Sequence, residues 1–444
     1  MSALAPVRRE LGNGALPGEP GLPRILPSVA GPAAKPQACL DFAAHVRTHG
    51  LLKFRRAELI EQTATAGLTG RGGAAFSVAR KLTSVAAGHG AVVVGNAAEG
   101  EPASSKDAAL LWLAPHLVLD GLQAAAEAVG ARSACLYLSG SHPRGGQDLA
   151  GQLRTALASR AAAGTDRVGV ELFDAPARFL AGEESALVAR INGGAARPSF
   201  KDRRMFERGI GGRPTLVHNV ETLAHLALIA RHGAAWFRSV GTQDEPGSML
   251  CTVRNADGRA RVVETPIGTR LDRLVELGDD VQAVLAGGYH GGWLTVAAAR
   301  RKSLSNADLR PVGATLGAGV LVALPTARCG LAETARVARS LALESAGQCG
   351  PCLNGLPAIA TALSAVARRR PAERELTSLR RWADLVTGRG ACHHPDGTVR
   401  FIASALSVFA AEIAEHRLGR CTATRHEHFL PTLPAAPRTE SDWR

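Results

Sequence analysis

A chain of 444 residues and 46.1 kDa, 46% hydrophobic and 20% charged, holds enough apolar material for two or three packed domains and excludes a wholly disordered or collagen-like protein. The formal charge is +13, yet the densest basic clusters (Arg300, Arg301 and Lys302; Arg368, Arg369 and Arg370; Arg380 and Arg381) lack interleaved aromatics for stacking bases, which argues against nucleic acid and for acidic partners such as an electron carrier or a dinucleotide. No apolar run reaches membrane-span length and the N-terminus has no compact apolar core of a signal peptide, so a cytoplasmic protein without direct membrane insertion is expected.

Residues 1–37 are rich in proline and glycine and read as a flexible N-terminal arm. Residues 40–66 have a helical pattern, with Phe42, Val46, Leu51, Leu52, Leu59 and Ile60 on the apolar face. Then comes GLTGRGGAAF at 67–76, four glycines and one arginine in ten residues. Glycine lets backbone approach a ligand closely, and successive N–H groups in such a loop form an anion nest; a plain tight turn is the equal alternative on these residues alone. A helix over 76–85 follows and carries Arg80 and Lys81.

The apolar run 91–94 predicts a buried strand, ending in GNAAEGEP at 95–102 with Glu99 and Glu101. A strand end that opens into a polar, glycine-rich loop is where open α/β sheets bind ligands, a solvated loop being the alternative. Helix 115–129, strand 134–138, helix 145–163 and strand 168–173 continue the alternation, which predicts a largely parallel sheet. Gly182, Glu183, Glu184 and Ser185 precede a helix at 186–191, where the carboxylates could also act as caps. The loop 198–214 carries Phe200, and VHNVETL at 217–223 opens a further helix with His218 and Asn219. Short β-like runs at 249–253, 261–264, 281–285 and 320–323 suggest a small separate module. Helical patterns at 331–343, 357–369, 376–386 and 401–415 suggest a C-terminal bundle. Of eight cysteines, scattered ones read as reduced core residues, but Cys349 and Cys352 form a C-x-x-C pair that does not.

Taken together, GRGGAAF (70–76), NAAEGEP (96–102), GEES (182–185), NVET (219–222), CGPC (349–352) and the later Cys392 resemble, in the same order, the flavin-bearing NADH dehydrogenase subunit of bacterial complex I and related NAD-linked flavoprotein subunits. The resemblance covers residues 40 to 425 and implies an α/β protein: a Rossmann-like FMN- and NADH-binding domain at 38–246, a small β-grasp domain at 247–328, a helical iron–sulfur bundle at 329–430 and a tail at 431–444. By it, Gly70, Arg71, Gly72 and Gly73 line the flavin and nicotinamide, and Phe76, with Phe200, stacks on the NADH adenine. Lys81, Asn96 and Asn219, with His218 beside it, hold the flavin phosphate and ribityl chain. Glu99 and Glu101 lie beside the reacting rings, and Gly182, Glu183 and Glu184 face the NADH ribose. The implied activity is FMN-dependent NADH:acceptor oxidoreduction, hydride to FMN and then single electrons through an iron–sulfur cluster to a ferredoxin or a small 2Fe–2S protein or subunit, in a hetero-oligomer. A non-catalytic scaffold with a degenerate cluster site is the alternative.

The sequence departs from the family pattern at four positions. Ala346 stands where the first cluster cysteine is usual, leaving Cys349, Cys352 and Cys392. Three outcomes stay open: a 4Fe–4S cluster with one non-cysteine ligand (His393 or His394 nearest in sequence) or with Cys421, a 3Fe–4S cluster on three thiolates, or an empty site. Ala98 replaces an acidic residue, Phe179 a tyrosine and His218 an asparagine.

Overall fold

A computed structural model describes residues 24–26, 41–53, 56–139, 148–199, 204–368, 370–433, 437 and 439–444. Phe200 lies outside the described residues.

Four short strands form a parallel sheet: β1 (Val92–Ala97), β2 (Ser133–Ser139), β3 (Val170–Ala175) and β4 (Thr215–Asn219). Helices α1 (Phe42–His49), α2 (Arg56–Ala66), α3 (Val78–Ala86), α4 (Lys106–Leu113), α5 (Pro115–Val129), α6 (Leu149–Ala163), α7 (Glu184–Ile191) and α8 (Val220–Arg238) belong to the same region. Near-continuous apolar runs such as Val92, Val93 and Val94 form strands because both faces of a parallel sheet are covered by helices. The order is β3-β2-β1-β4. The chain therefore steps outward from β1 to β3, then returns to the other side of β1. That reversal creates a crevice at the carboxyl ends of β1 and β4, the place where open α/β sheets bind ligands.

A second, mixed sheet holds β5 (Ser248–Arg254), β6 (Ala260–Pro266), β7 (Val281–Ala286), β8 (Gly292–Thr295) and β9 (Val320–Pro325) in the order β6-β5-β9-β7-β8. Only β5 and β9 pair in parallel among these neighbours. The short helices α9 (Leu271–Leu274), α10 (Val296–Ala299) and α11 (Asn306–Leu309) fill its connections. The C-terminal part is helical: α12 (Gly330–Leu343), α13 (Leu356–Val366), α14 (Glu373–Val386), α15 (His394–Val408) and α16 (Ala410–Arg417). Trp293 of β8 meets Phe409 edge-on at 5.2 Å, and both belong to the apolar core shared by the second sheet and the bundle. Among the described residues no single helix is long and apolar enough to cross a membrane.

Four expectations need adjustment. The helical stretch 40–66 is two helices, because Gly50 closes α1 at φ 71°. The stretch 401–415 lies across α15 and α16, which bend by 71° at a break around Phe409. VHNVETL does not begin as helix: residues 217–219 complete β4, and Asn219 then caps α8 by accepting from the Glu221 N–H at 3.0 Å. Within the segment expected to be a flexible arm, Arg24, Ile25 and Leu26 are buried, and their three backbone amides converge on Glu264 Oε2 at 2.8, 2.9 and 3.2 Å.

Candidate functional site

The glycine loop lies over the crevice. Gly70 N–H donates to the Phe76 carbonyl at 2.9 Å, which closes the loop on itself. Arg71 N–H donates to Thr222 Oγ1 at 2.9 Å, fixing the loop to the first turn of α8. The Arg71 guanidinium turns inward, buried, and donates to Thr69 Oγ1 (3.0 Å) and the Pro246 carbonyl (3.4 Å); its Nε has no hydrogen-bond partner. What the loop presents outward is the bare backbone of Gly72 and Gly73. Gly73 sits at φ 106°, a conformation that disfavours any side chain, and a Cβ there would come within 3.6 Å of the Gly317 carbonyl of the second sheet's domain. Ala75 adopts φ 50° without being glycine, local strain of the kind that collects at ligand loops. Phe76 is 48% exposed, with the Arg80 guanidinium 5.5 Å from its ring centre.

Beneath the loop, Asn96 of β1 and Asn219 of β4 are register partners, so two amides stand side by side at the strand ends. Asn96 Nδ2 donates to the Gly182 carbonyl at 2.8 Å, and its Oδ1 accepts from the Ala98 N–H at 3.1 Å. Gly182 has to be glycine here, since a Cβ would fall 2.6 Å from the Ala98 carbonyl. Lys81, on α3, places Nζ 3.0 Å from the Val217 carbonyl and 2.8 Å from Glu184 Oε1. His218 is buried with Nε2 lacking a partner; burial, aided by the Lys81 charge, pushes its pKa down to about 3, so the ring is neutral.

The predicted carboxylates are all engaged. Glu99 accepts from the Ser104 hydroxyl and, at 3.3 Å each, from the Asp107 and Ala108 amides at the start of α4. Glu101 accepts from the Tyr289 amide (2.7 Å) and the Ala103 amide (3.2 Å), which ties the loop after β1 to the second sheet's domain. Burial pushes its carboxyl up to about 7, so it carries a proton for part of the time at neutral pH. Glu183 caps α7, accepting from the Ser185 amide (2.9 Å), the Ala186 amide (3.1 Å) and the Ser185 hydroxyl.

Sequence reading missed the charge that holds these elements together. Lys106 is buried and places Nζ 2.7 Å from Asp107 Oδ1, 2.8 Å from Glu221 Oε2 and 3.4 Å from Asn219 Oδ1. Burial works against its charge, but Asp107 and Glu221 raise its pKa overall. Asn219 Nδ2 donates to Asp107 Oδ2 at 2.7 Å, so the amide at the crevice is positioned by the ion cluster below it. The NVET motif was the available signal: Glu221 and Thr222 serve Lys106 and Arg71 from beneath.

The second predicted group lies in the helical region. Cys352 sits in a π-helical turn, Pro351–Gly355. Burial pushes its thiol up to about 12, and Cys349 and Cys392, both close enough to act on it, push in the same direction. Ala346 is buried against Leu180 and Trp443. Of the three candidate fourth ligands, His394 and Cys421 are engaged elsewhere. The His393 side chain is 83% exposed and lies 3.8 Å from Asp396. His394 is buried with Nε2 2.9 Å from the Leu341 carbonyl and Nδ1 3.0 Å from His290 Nε2. Cys421 groups with Cys329, Glu412 and His416 instead.

Residues 63–228 match the model of the Nuo51 FMN-binding domain, and residues 332–416 match that of the iron–sulfur binding region of NADH-ubiquinone oxidoreductase F. The second F-type subunit of the NADH-quinone oxidoreductase of Rhizobium meliloti is 28% identical over 382 residues, 81% of this chain and 88% of that protein. Its F-type counterpart in the NADH-quinone oxidoreductase of Rickettsia felis is 28% identical over 393 residues, 84% of this chain and 92% of its own length. Among solved structures, a chain of an NAD+-reducing NiFe-hydrogenase in its H2-reduced state superposes with a TM-score of 0.73 at 28% identity, covering 84% of this chain and 64% of that one, so this chain spans less than two thirds of it. The air-oxidised form gives a TM-score of 0.75 at 27% identity, covering 90% and 68%. The two matched regions contain the glycine loop and crevice on one side and the Cys349, Cys352 and Cys392 thiols on the other, and over both the chain is similar to the flavin-bearing F subunits of NADH-quinone oxidoreductases.

Proposed function

We propose that this chain is the electron-input flavoprotein of an NADH:acceptor oxidoreductase, holding FMN in the crevice between β1 and β4 and an iron–sulfur cluster at Cys349, Cys352 and Cys392. The observation that carries the flavin site is the register pairing of Asn96 with Asn219 at the strand reversal, roofed by side-chain-free Gly72 and Gly73. The donor set suits a flavin nucleotide: backbone and amide groups for the ribityl hydroxyls, and the Lys81 ammonium as a point charge for the phosphate. Bound there, FMN would supply hydride acceptance and single-electron release. The protein's own work is then positional. Lys106, Asp107 and Glu221 fix Asn219. Glu101 holds a proton close to neutral pH beside the loop, and Phe76 offers an exposed ring for a base. Glu183 and Glu184 sit at the start of α7, where carboxylates accept from a ribose 2′-OH and repel a 2′-phosphate, so NADH is the preferred nucleotide.

For the cluster, the Cys349, Cys352 and Cys392 thiols, with alanine and not cysteine at position 346, fit three-thiolate ligation, either a 3Fe–4S cluster or a 4Fe–4S cluster with one iron not bound by cysteine. The second sheet has the strand order of a β-grasp domain, its first and last strands being parallel central neighbours. Electrons leave to a small iron–sulfur protein or subunit, an acidic partner for a chain of charge +13.

Flavin fluorescence titration of the purified chain with FMN tests the site. Saturable quenching is expected, with Lys81→Met weakening binding roughly 10- to 100-fold, the worth of one charge-assisted contact. A correctly folded wild-type chain that takes up no FMN refutes the proposal.

A further inference from the structure

Four metal-ligand side chains meet away from the three cluster thiols. Cys329 Sγ, a Glu412 carboxylate oxygen, a His416 ring nitrogen and Cys421 Sγ all lie within 4.8 Å of one another. Cys329 is the N-cap of α12, Glu412 and His416 occupy one face of α16 at i and i+4, and Cys421 comes shortly after that helix ends. The first three are buried and Cys421 is half-buried.

The spacing is that of donors around one small ion. Cys329 Sγ stands 3.6 Å from His416 Nε2 and 4.0 Å from Glu412 Oε1, and Glu412 Oε1 stands 3.0 Å from His416 Nε2. A tetrahedral zinc with bonds of about 2.3 Å to sulfur and about 2.0–2.1 Å to nitrogen and oxygen would set sulfur–nitrogen and sulfur–oxygen edges near 3.6 Å and a nitrogen–oxygen edge near 3.3 Å. An iron–sulfur cluster carries its thiolates on separate corners and would hold them farther apart. The surroundings orient the donors. Cys329 Sγ accepts from the Ala332 N–H at 3.4 Å, and Cys421 is hydrogen-bonded to the backbone at Ala423. Thr422 holds the Glu412 carboxylate through its amide at 3.0 Å and through its hydroxyl. His416 Nδ1 has no partner among the described residues, so the ring is aimed solely by what lies at its Nε2 edge.

We propose that Cys329, Glu412, His416 and Cys421 bind one zinc ion in a closed structural site. Two thiolates, an imidazole and a carboxylate suit zinc among common divalent ions, and four protein donors leave no position open for chemistry. The ion would pin the start of α12 and the segment beginning at Cys421 to α16. Since α12 leads at its other end into the loop of Cys349 and Cys352, the site would fix the helix that presents the cluster cysteines.

The test uses the full chain, purified without chelator, with zinc and iron counted by plasma mass spectrometry. About one zinc per chain is expected. It should survive in the Cys349→Ser, Cys352→Ser double variant, which loses iron. It should be lost from the Cys329→Ser, Cys421→Ser variant and from the milder His416→Gln variant. Zinc-edge X-ray absorption of the wild type, which does not depend on any variant folding, should report two sulfur and two nitrogen or oxygen neighbours. Zinc that leaves with Cys349 and Cys352, a first shell of four sulfurs, or a wild-type chain that retains no zinc after incubation with zinc chloride and desalting would each overturn the proposal. So would a Cys329–Cys421 disulfide in the protein isolated under reducing conditions.

Discussion

Lys106 shows at the scale of one residue why this site is built from beneath. An ammonium with so little exposure is tolerable only because Asp107 and Glu221 meet it at 2.7 and 2.8 Å. Lys106→Met leaves two buried carboxylates without their cation and should cost about 3–5 kcal/mol, read as a lower urea midpoint at unchanged slope. Glu101 is the opposite case. Its carboxyl is pushed up to about 7 mainly by burial, so between about 4.5 and 7 the folded chain keeps a proton that the unfolded chain has released. Stability from this group is therefore fully present below about 4.5 and lost as pH rises through 7, a loss on the order of 3 kcal/mol. Glu101→Gln should remove that decline, so that the variant gains on the wild type between pH 5 and pH 8 in chemical denaturation. An identical pH slope in both proteins would count against the protonated carboxyl. The roles expected of Lys81, Asn96 and Asn219 came from the resemblance to a family, whereas the glycine loop was legible as a candidate anion nest because its chemistry is local. Lys106 was not, because its partner Glu221 stands 115 residues away.

Between residue and molecule, the elements divide by how much of their signal is local. The apolar runs of β1 and β2 announced themselves because both faces of each strand are buried. β4 did not. It has five residues and runs without a turn into α8, so its apolar positions merge with the helical pattern that follows. Yet β4 is the strand that creates the crevice, since only its return beside β1 makes the strand order reverse. The loop after α12 presents a comparable gap: C-x-x-C was visible, whereas the burial of Ala346 against Leu180 and Trp443 depends on the chain's last residues packing back. Ala346→Cys adds a thiol three residues before Cys349. The expected result is a cluster that is EPR-silent when oxidised and paramagnetic when reduced, while the air-exposed wild type shows the signal of an oxidised three-iron cluster. Identical spectra from the two proteins would mean that Ala346 does not border the cluster.

On the scale of the molecule, the nucleotide crevice and the cysteine loop are joined by packed layers. Glu101 reaches from the loop after β1 to Tyr289 in the second sheet's domain. The Phe179 ring lies 4.9 Å from His290 and 5.6 Å from His394, two residues after Cys392. Arg178 pairs with Glu344 at 2.9 Å, immediately before the loop of Cys349 and Cys352. The parallel sheet and the helical C-terminal region could be anticipated from patterns along the sequence, but these joints could not, because each is made by single residues from distant segments. In the proposed function, NADH delivers electrons to FMN in the crevice and the thiol-bound cluster receives them. Anaerobic NADH titration of the FMN- and iron–sulfur-reconstituted chain, followed by visible and low-temperature EPR spectra, tests both halves at once. NADH should bleach the flavin and then change the cluster signal, with NADPH far less effective. A chain that holds FMN and cluster yet shows no bleaching with NADH would contradict it.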